Sequence, residues 1–186
     1  MDTEKKQIKI HTEGTPNPNA LKFVLDTVLL ENKTANFPNK EKGKNSPLAS
    51  RLFNIDGVTE VFIGKDFITV SKKPEINWES IYEDILCAID EHLVSKEPIL
   101  LQSETVEDKN ISEVEKKIIE ILDSKIRPAV ASDGGDIIFD SYEDGILRLR
   151  LQGSCSHCPS SIMTLKAGIE SMLKREISEL KEVISV

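Results

Sequence analysis

The sequence has little of what marks secreted, membrane-spanning or nucleic-acid-binding proteins. Cysteine occurs three times. An odd count with no secretory signal argues against a disulfide framework and for a reducing compartment. The opening residues Met1-Asp2-Thr3-Glu4-Lys5-Lys6 hold no apolar core and are too acidic for a transit peptide. The compartment expected is a bacterial cytoplasm, or the mitochondrial matrix for a mature organelle protein. No run of about 18 apolar residues occurs, so no membrane partner is expected. Aromatic residues are only 5% of the chain, and 32 acidic residues outnumber 24 basic ones for a net charge of −8. With no basic stripe interleaved with aromatics, nucleic acid is excluded as an expected partner. No nucleophile–base–acid set, phosphate loop or zincin motif is present, so no enzymatic activity is expected.

What is present fits a soluble α+β chain of two small mixed domains. The 186 residues allow one ample domain or two small ones. Ile8 and Ile10 alternate with polar residues, then Thr15-Pro16-Asn17-Pro18-Asn19 forms a turn, and Leu21, Phe23 and Leu25 mark a second strand. Residues 31–45 are polar and read as a mobile surface loop. Ser46-Pro47 opens a short helix. Val58 to Ile63 and Phe67 to Val70 form a hairpin around Gly64-Lys65-Asp66. Asn77 is expected to cap a helix whose stripe is Trp78, Ile81, Ile85, Ile89 and Leu93. This gives β-β-α-β-β-α over residues 1–97, followed by a linker at 98–110.

The second unit, 111–186, reads α-β-β-α-β. Ser112 with Glu115 makes a capping-box signature, and Pro128 is expected to end that helix. Asp133-Gly134-Gly135-Asp136 turns into the strand Ile137-Ile138-Phe139. Leu147, Leu149 and Leu151 then alternate with Arg148 and Arg150 in a half-buried strand. Gly153-Ser154-Cys155-Ser156-His157-Cys158-Pro159 follows, with Ile162, Leu165, Ile169, Met172 and Leu173 recurring at helical spacing after it. A last strand lies around Val183 and Ile184.

The cysteine loop is the candidate site. Cys155 and Cys158 sit between a strand and a helix N-terminus, where unpaired N–H groups and the helix dipole favour thiolates. Simple burial of two small side chains fits a Gly-Ser loop poorly. A structural zinc site wants four ligands, and no second cysteine pair exists. A thiol–disulfide pair is the rival, although only 28 residues follow Cys158. An iron–sulfur cluster usually takes four thiolates, so two chains would have to meet around it. Cys87 lies inside a helix of the first unit and is expected to pack in or near the core. His92 is expected as a helix C-terminal cation or a surface residue, and His11 has no ligand partner in spacing. Asp133 and Asp136 are expected to be turn formers rather than an acid–base pair.

These motifs also carry a resemblance. The stretch from Gly134-Gly135-Asp136 through Gly153-Ser-Cys155-Ser-His-Cys158-Pro-Ser-Ser161 resembles the NifU-like C-terminal domain. Thr15-Pro-Asn-Pro-Asn19, Asn36-Phe-Pro38, Ser46-Pro-Leu-Ala49 and Asp66-Phe-Ile-Thr69 resemble the Nfu N-terminal domain. The resemblance implies an Nfu-type iron–sulfur cluster scaffold, not an enzyme. It implies a [4Fe–4S] cluster bridged between the protomers of a homodimer by Cys155 and Cys158 of each, with a [2Fe–2S] form as a further option. It also implies upstream assembly proteins and apo iron–sulfur clients such as lipoate-synthesising enzymes. The chain departs from the family pattern at His157, where a small residue is more usual.

Overall fold

The computed structural model describes residues 9–31, 33–101, 111–156 and 159–186, the side chains of 159–161 excepted. Two α+β units follow one another along the chain. The first is a five-stranded antiparallel sheet of order β1-β2-β5-β4-β3. Its strands are β1 (Ile10–Gly14), β2 (Ala20–Leu25), β3 (Ala35–Phe37), β4 (Val58–Ile63) and β5 (Phe67–Lys72). Three helices accompany it: α1 (Lys40–Gly43), α2 (Pro47–Leu52) and α3 (Trp78–Ser95). Alternate residues point to opposite faces of a strand, so Phe23, Val61, Ile63, Ile68 and Val70 share one face. That face forms the first core with Leu48 and Leu52 of α2 and Ile81, Ile85 and Ile89 of α3.

The polar stretch after Glu31 is not the open loop that composition suggests. It holds β3, whose Phe37 is 5% exposed and pairs with Val61, and α1, where Asn39 accepts a bond from the Lys42 N–H. A three-residue strand is too short to show alternation, which is why the pattern misses it. Ser46 caps α2 as expected, accepting from the Ala49 N–H at 3.2 Å. Asn77 precedes α3 but its side chain makes no capping bond. Leu101 N–H donates to Asn45 O, and Ile99 and Leu100 pack on the first core, so the start of the expected linker belongs to the first unit. Residues 102–110, and the first residues of the expected first strand, lie outside the described residues.

The second unit opens with α4 (Glu113–Ile121), where the Ser112–Glu115 capping box is formed in both directions. Pro128 does not end the helical path. A π-helical turn at Leu122–Ile126 leads into α5 (Arg127–Ser132), and Pro128 stands in its first turn. The wider turn just before it, with Arg127 N–H bonded back to Leu122 O, makes room for the ring against the preceding carbonyls. β6 (Gly135–Glu143) pairs antiparallel with β7 (Ile146–Gly153), and β7 pairs in parallel with β8 (Glu182–Ser185). Parallel neighbours need a crossover, and α6 (Pro159–Glu176) supplies it. Ile118, Leu122, Val130, Ile137, Leu147 and Leu173 lie in the second core. Arg148 and Arg150 do lie on the polar side of β7, paired with Glu143 and Asp140.

His92 is buried rather than exposed, at 1%. It faces inward on α3 in line with Ile85 and Ile89, and neither ring nitrogen bonds to a described protein group. Burial holds its pKa below the usual value; Glu97, 3.9 Å away, opposes that and Arg51 adds to it. The unfolded chain therefore binds a proton more readily than the fold does. Stability from this residue is present above the unfolded value and is lost as pH falls through and below it. We expect the thermal midpoint to fall more steeply for the wild type than for His92→Phe below about pH 6.5. Equal slopes would contradict this.

Candidate functional site

Four elements shape the cysteine loop. β7 ends at Gly153, which lies opposite Gly135 in the β6–β7 ladder. Gly153 has φ +69, and a Cβ there would stand 2.6 Å from Gly134 O and 2.9 Å from Gly135 Cα. Only glycine fits where two backbones come this close in a left-handed conformation. The chain then turns. Ser154 N–H donates to Gly134 O at 3.2 Å, and Ser156 N–H donates to Gly153 O at 3.1 Å. The Ser154 hydroxyl donates to Asp133 O and lies 3.7 Å from Cys155 Sγ.

Cys155 is 3% exposed and belongs to the second core. Its sulfur lies against Gly135, where a Cβ would come within 2.9 Å of it. It also borders a mostly apolar groove of about 450 Å³, lined by Ile126, Ala129, Leu165, Ile169 and Met172 together with Pro16 of the first unit. Cys158 and His157 lie outside the described residues.

The loop also abuts the first unit. Lys22, Thr69 and Phe62 form a row across β2, β5 and β4, on the sheet face opposite the first core. Thr69 Oγ1 donates to Gly134 O at 2.7 Å, Lys22 Nζ to Ser132 O at 3.3 Å, and Asn17 Nδ2 to Ser154 O at 3.3 Å. Ser156 Oγ lies 3.1 Å from Glu60 Oε2 and 2.8 Å from Gly153 O. Phe62 is fully buried although it belongs to neither core, and a Cβ on Gly153 would meet its ring at 3.1 Å.

Asp136 is not a turn former. It is 3% exposed in β6, with Oδ1 3.0 Å from Arg127 Nε and Oδ2 accepting from Thr34 Oγ1 at 2.7 Å. It ties α5 and the first unit to the strand that lies beside the cysteine loop. Asp133 accepts from the Ser154 hydroxyl through its carbonyl and donates its N–H to Ala129 O. Neither carboxylate is placed for acid–base work with the other.

Cys87 is exposed, contrary to the expected packing, and lies in α3, away from the cysteine loop. Its thiol stands 3.6 Å from Glu91 Oε1, and the Glu91 charge and hydrogen bond raise its pKa, with smaller contributions from burial, Asp90 and Asp84. A thiol held protonated is a poor nucleophile and metal ligand. Despite its exposure, Cys87 should alkylate more slowly at neutral pH than a free cysteine in a short peptide; a rate at or above the peptide's would overturn this. His11 is exposed and pairs with Glu13. Among the described residues no group of three His, Cys, Asp or Glu is placed to hold a metal ion.

The contacts that sequence reading missed are those of Asn17, Glu60 and Thr69. Asn17 falls inside the Thr15–Asn19 turn motif, but nothing local announces a partner in the second unit.

Comparisons with known proteins agree with this two-unit layout. Residues 10–96 match the family model described as scaffold protein Nfu/NifU N terminal, and residues 118–184 match the NifU-like domain. The chain is 45% identical over 182 residues to the human NFU1 iron-sulfur cluster scaffold homolog, mitochondrial, covering 95% of this chain and 71% of that protein. It is 41% identical to NifU-like protein 4, mitochondrial, of Arabidopsis thaliana, covering 97% of this chain and 66% of that one. A solution structure of a NifU-like protein from Saccharomyces cerevisiae aligns with TM-score 0.49 and 29% identity, over 55% of this chain and 92% of that one. On the strength of the full-length similarity and both domain matches, this chain belongs to the Nfu/NifU scaffold-protein family.

Proposed function

We propose that the chain carries an iron–sulfur cluster as cargo, held between two copies by Cys155 and Cys158 of each, and passes it to apo-proteins. The observation that carries this reading is the Cys155-x-x-Cys158 pair within the residues that match the NifU-like domain, which gives one chain two thiolates. The groove beside Cys155 is mostly apolar, lined by Ile126, Leu165, Ile169 and Met172, with Asp133 and Lys125 also on its wall. A cluster commonly takes four thiolates, and two chains supply them where one does not. The cargo is a [4Fe–4S] cluster, the form four cysteines ligate with one thiolate on each iron.

A site split between two chains suits a carrier. Cluster release and dimer dissociation are linked by mass action, so binding is firm when loaded and reversible when a client competes. Transfer proceeds by ligand exchange: a client thiolate binds iron, the Cys155 or Cys158 thiolate leaves and takes up a proton, and iron and sulfide keep their oxidation states. The Ser154 hydroxyl lies 3.7 Å from Cys155 Sγ, so turning its proton from Asp133 O to that sulfur would tune how readily the thiolate leaves. Clients of the lipoate-synthesising type and upstream assembly proteins are the partners this chemistry suits. The chain has no catalytic role of its own here. The mitochondrial names of the human and plant relatives support a matrix setting.

Iron and sulfide analysis after anaerobic reconstitution tests the cargo. We expect about four of each per two chains. Colourless protein that instead reduces insulin disulfides without iron would replace the carrier with a thiol–disulfide oxidoreductase.

A further inference from the structure

The outer face of the first unit's sheet is not a solvent face. All six residues of β5 are buried, although a strand with one wet face would bury only three. Ile68 and Val70 face the first core, and the second unit meets the opposite face at Thr69. β4 and β5 lie against β7, and the contact centres on the turn that carries Cys155. The residues on both sides of the cysteine bond across the boundary: Ser154 through its carbonyl to Asn17, and Ser156 through its hydroxyl to Glu60. Gly134 accepts from Thr69, and Gly153 leaves room for the Phe62 ring. Lys22, with its ammonium bonded to Ser132 O and 3.1 Å from Glu13, closes one side of the contact, and Thr34 on Asp136 adds a further bond. The surface is therefore matched to a glycine-rich turn: polar donors meet the exposed carbonyls, and an aromatic ring fills the space left by an absent side chain.

The geometry points to a built-in clamp, in which the first unit's sheet face docks the chain's own cysteine loop and keeps Cys155 from a second chain until the units part. A cysteine ligand stands about 2.3 Å from its metal. Cys155, 3% exposed and set between its own core and a groove that Pro16 helps to line, does not reach a cluster lying on the surface between two chains. Because both flanking serines are tied down, the loop does not swing out while the contact holds. The closed single chain and the loaded pair then compete for one loop. Loading draws on the fraction of molecules that are open, so the clamp sets its rate and shields Cys155 in between. This step rests on the two-chain reading above, but the closure itself does not.

The full-length Cys87→Ala protein leaves two thiols to follow. Its Cys155 alkylation rate is read by peptide mass spectrometry and compared with that of the same protein carrying Thr69→Lys, which drives a charge into the contact. We expect Cys155 to react about tenfold faster in the variant, and initial cluster loading to rise with it. Unchanged alkylation in a variant whose circular dichroism matches the parent overturns the clamp. A second readout needs no substitution at the contact. Acetylation of Lys22, slow in the cluster-free chain, is expected to rise on loading as the sheet face is uncovered; a Lys22 that stays protected in loaded protein overturns the proposal. A chain that takes up no cluster would fail the carrier reading, while the alkylation comparison would still decide the clamp.

Discussion

Cys155→Ala or Cys158→Ala is expected to leave the protein without bound iron after reconstitution, while Cys87→Ala binds as the parent does. The effect is close to all-or-none because, in the proposed two-chain site, each substitution removes two of four thiolates. A cluster left with two ligands is lost to competing thiols. The fold should survive. Cys155 fills a place in the second core, and losing one buried sulfur costs about 1–2 kcal/mol, a modest drop in midpoint. Metal analysis with circular dichroism on the same samples checks both halves. Iron retained by Cys155→Ala, or lost by Cys87→Ala, would overturn the ligand assignment.

The second large effect is expected at Gly153. Alanine there meets two separate obstacles. Its φ of +69 disfavours any side chain by about 1 kcal/mol or more. Its Cβ would also stand 2.6 Å from Gly134 O and 2.9 Å from Gly135 Cα, backbone atoms that do not rotate away. The end of the β6–β7 ladder must spread, and with it the turn that seats Cys155. We expect a loss of about 3 kcal/mol and of about 15 °C in the second unit's thermal midpoint, with iron binding impaired. Gly168 is the internal control. It lies in α6 with nothing within 4 Å of its would-be Cβ, so Gly168→Ala should be neutral or stabilising by roughly 0.5–1 kcal/mol. Equal effects at the two glycines would mean the close approach at Gly153 is not what restricts it.

Elements that carry their own periodicity were legible in the chain. Leu21, Phe23 and Leu25 alternate and form β2; the Trp78–Leu93 stripe forms α3; Ser112 and Glu115 form their capping box. The misread parts depend on partners distant in sequence. β3 exists because Phe37 finds Val61, and α5 exists because a π turn absorbs Pro128. His92 lies inward because α3 continues its buried stripe to its last turn, and residue type alone favours the surface for histidine.

The site divides in the same way. The cysteine pair, its glycine entry and the following helix are consecutive, so spacing alone marks them. Asn17, Glu60 and Thr69 meet the loop across 137, 96 and 65 residues of chain, and such contacts leave no local signature. Phe67 to Val70 reads only as one strand of a hairpin, with nothing local to say what covers either face. In the fold Thr69 is buried where its hydroxyl meets Gly134 of the second unit.

Native mass spectrometry of the anaerobically loaded protein tests the central claim most directly. Two polypeptides with a single cluster's mass of four irons and four sulfides is the result expected from paired two-thiolate loops. One polypeptide holding a whole cluster would contradict it.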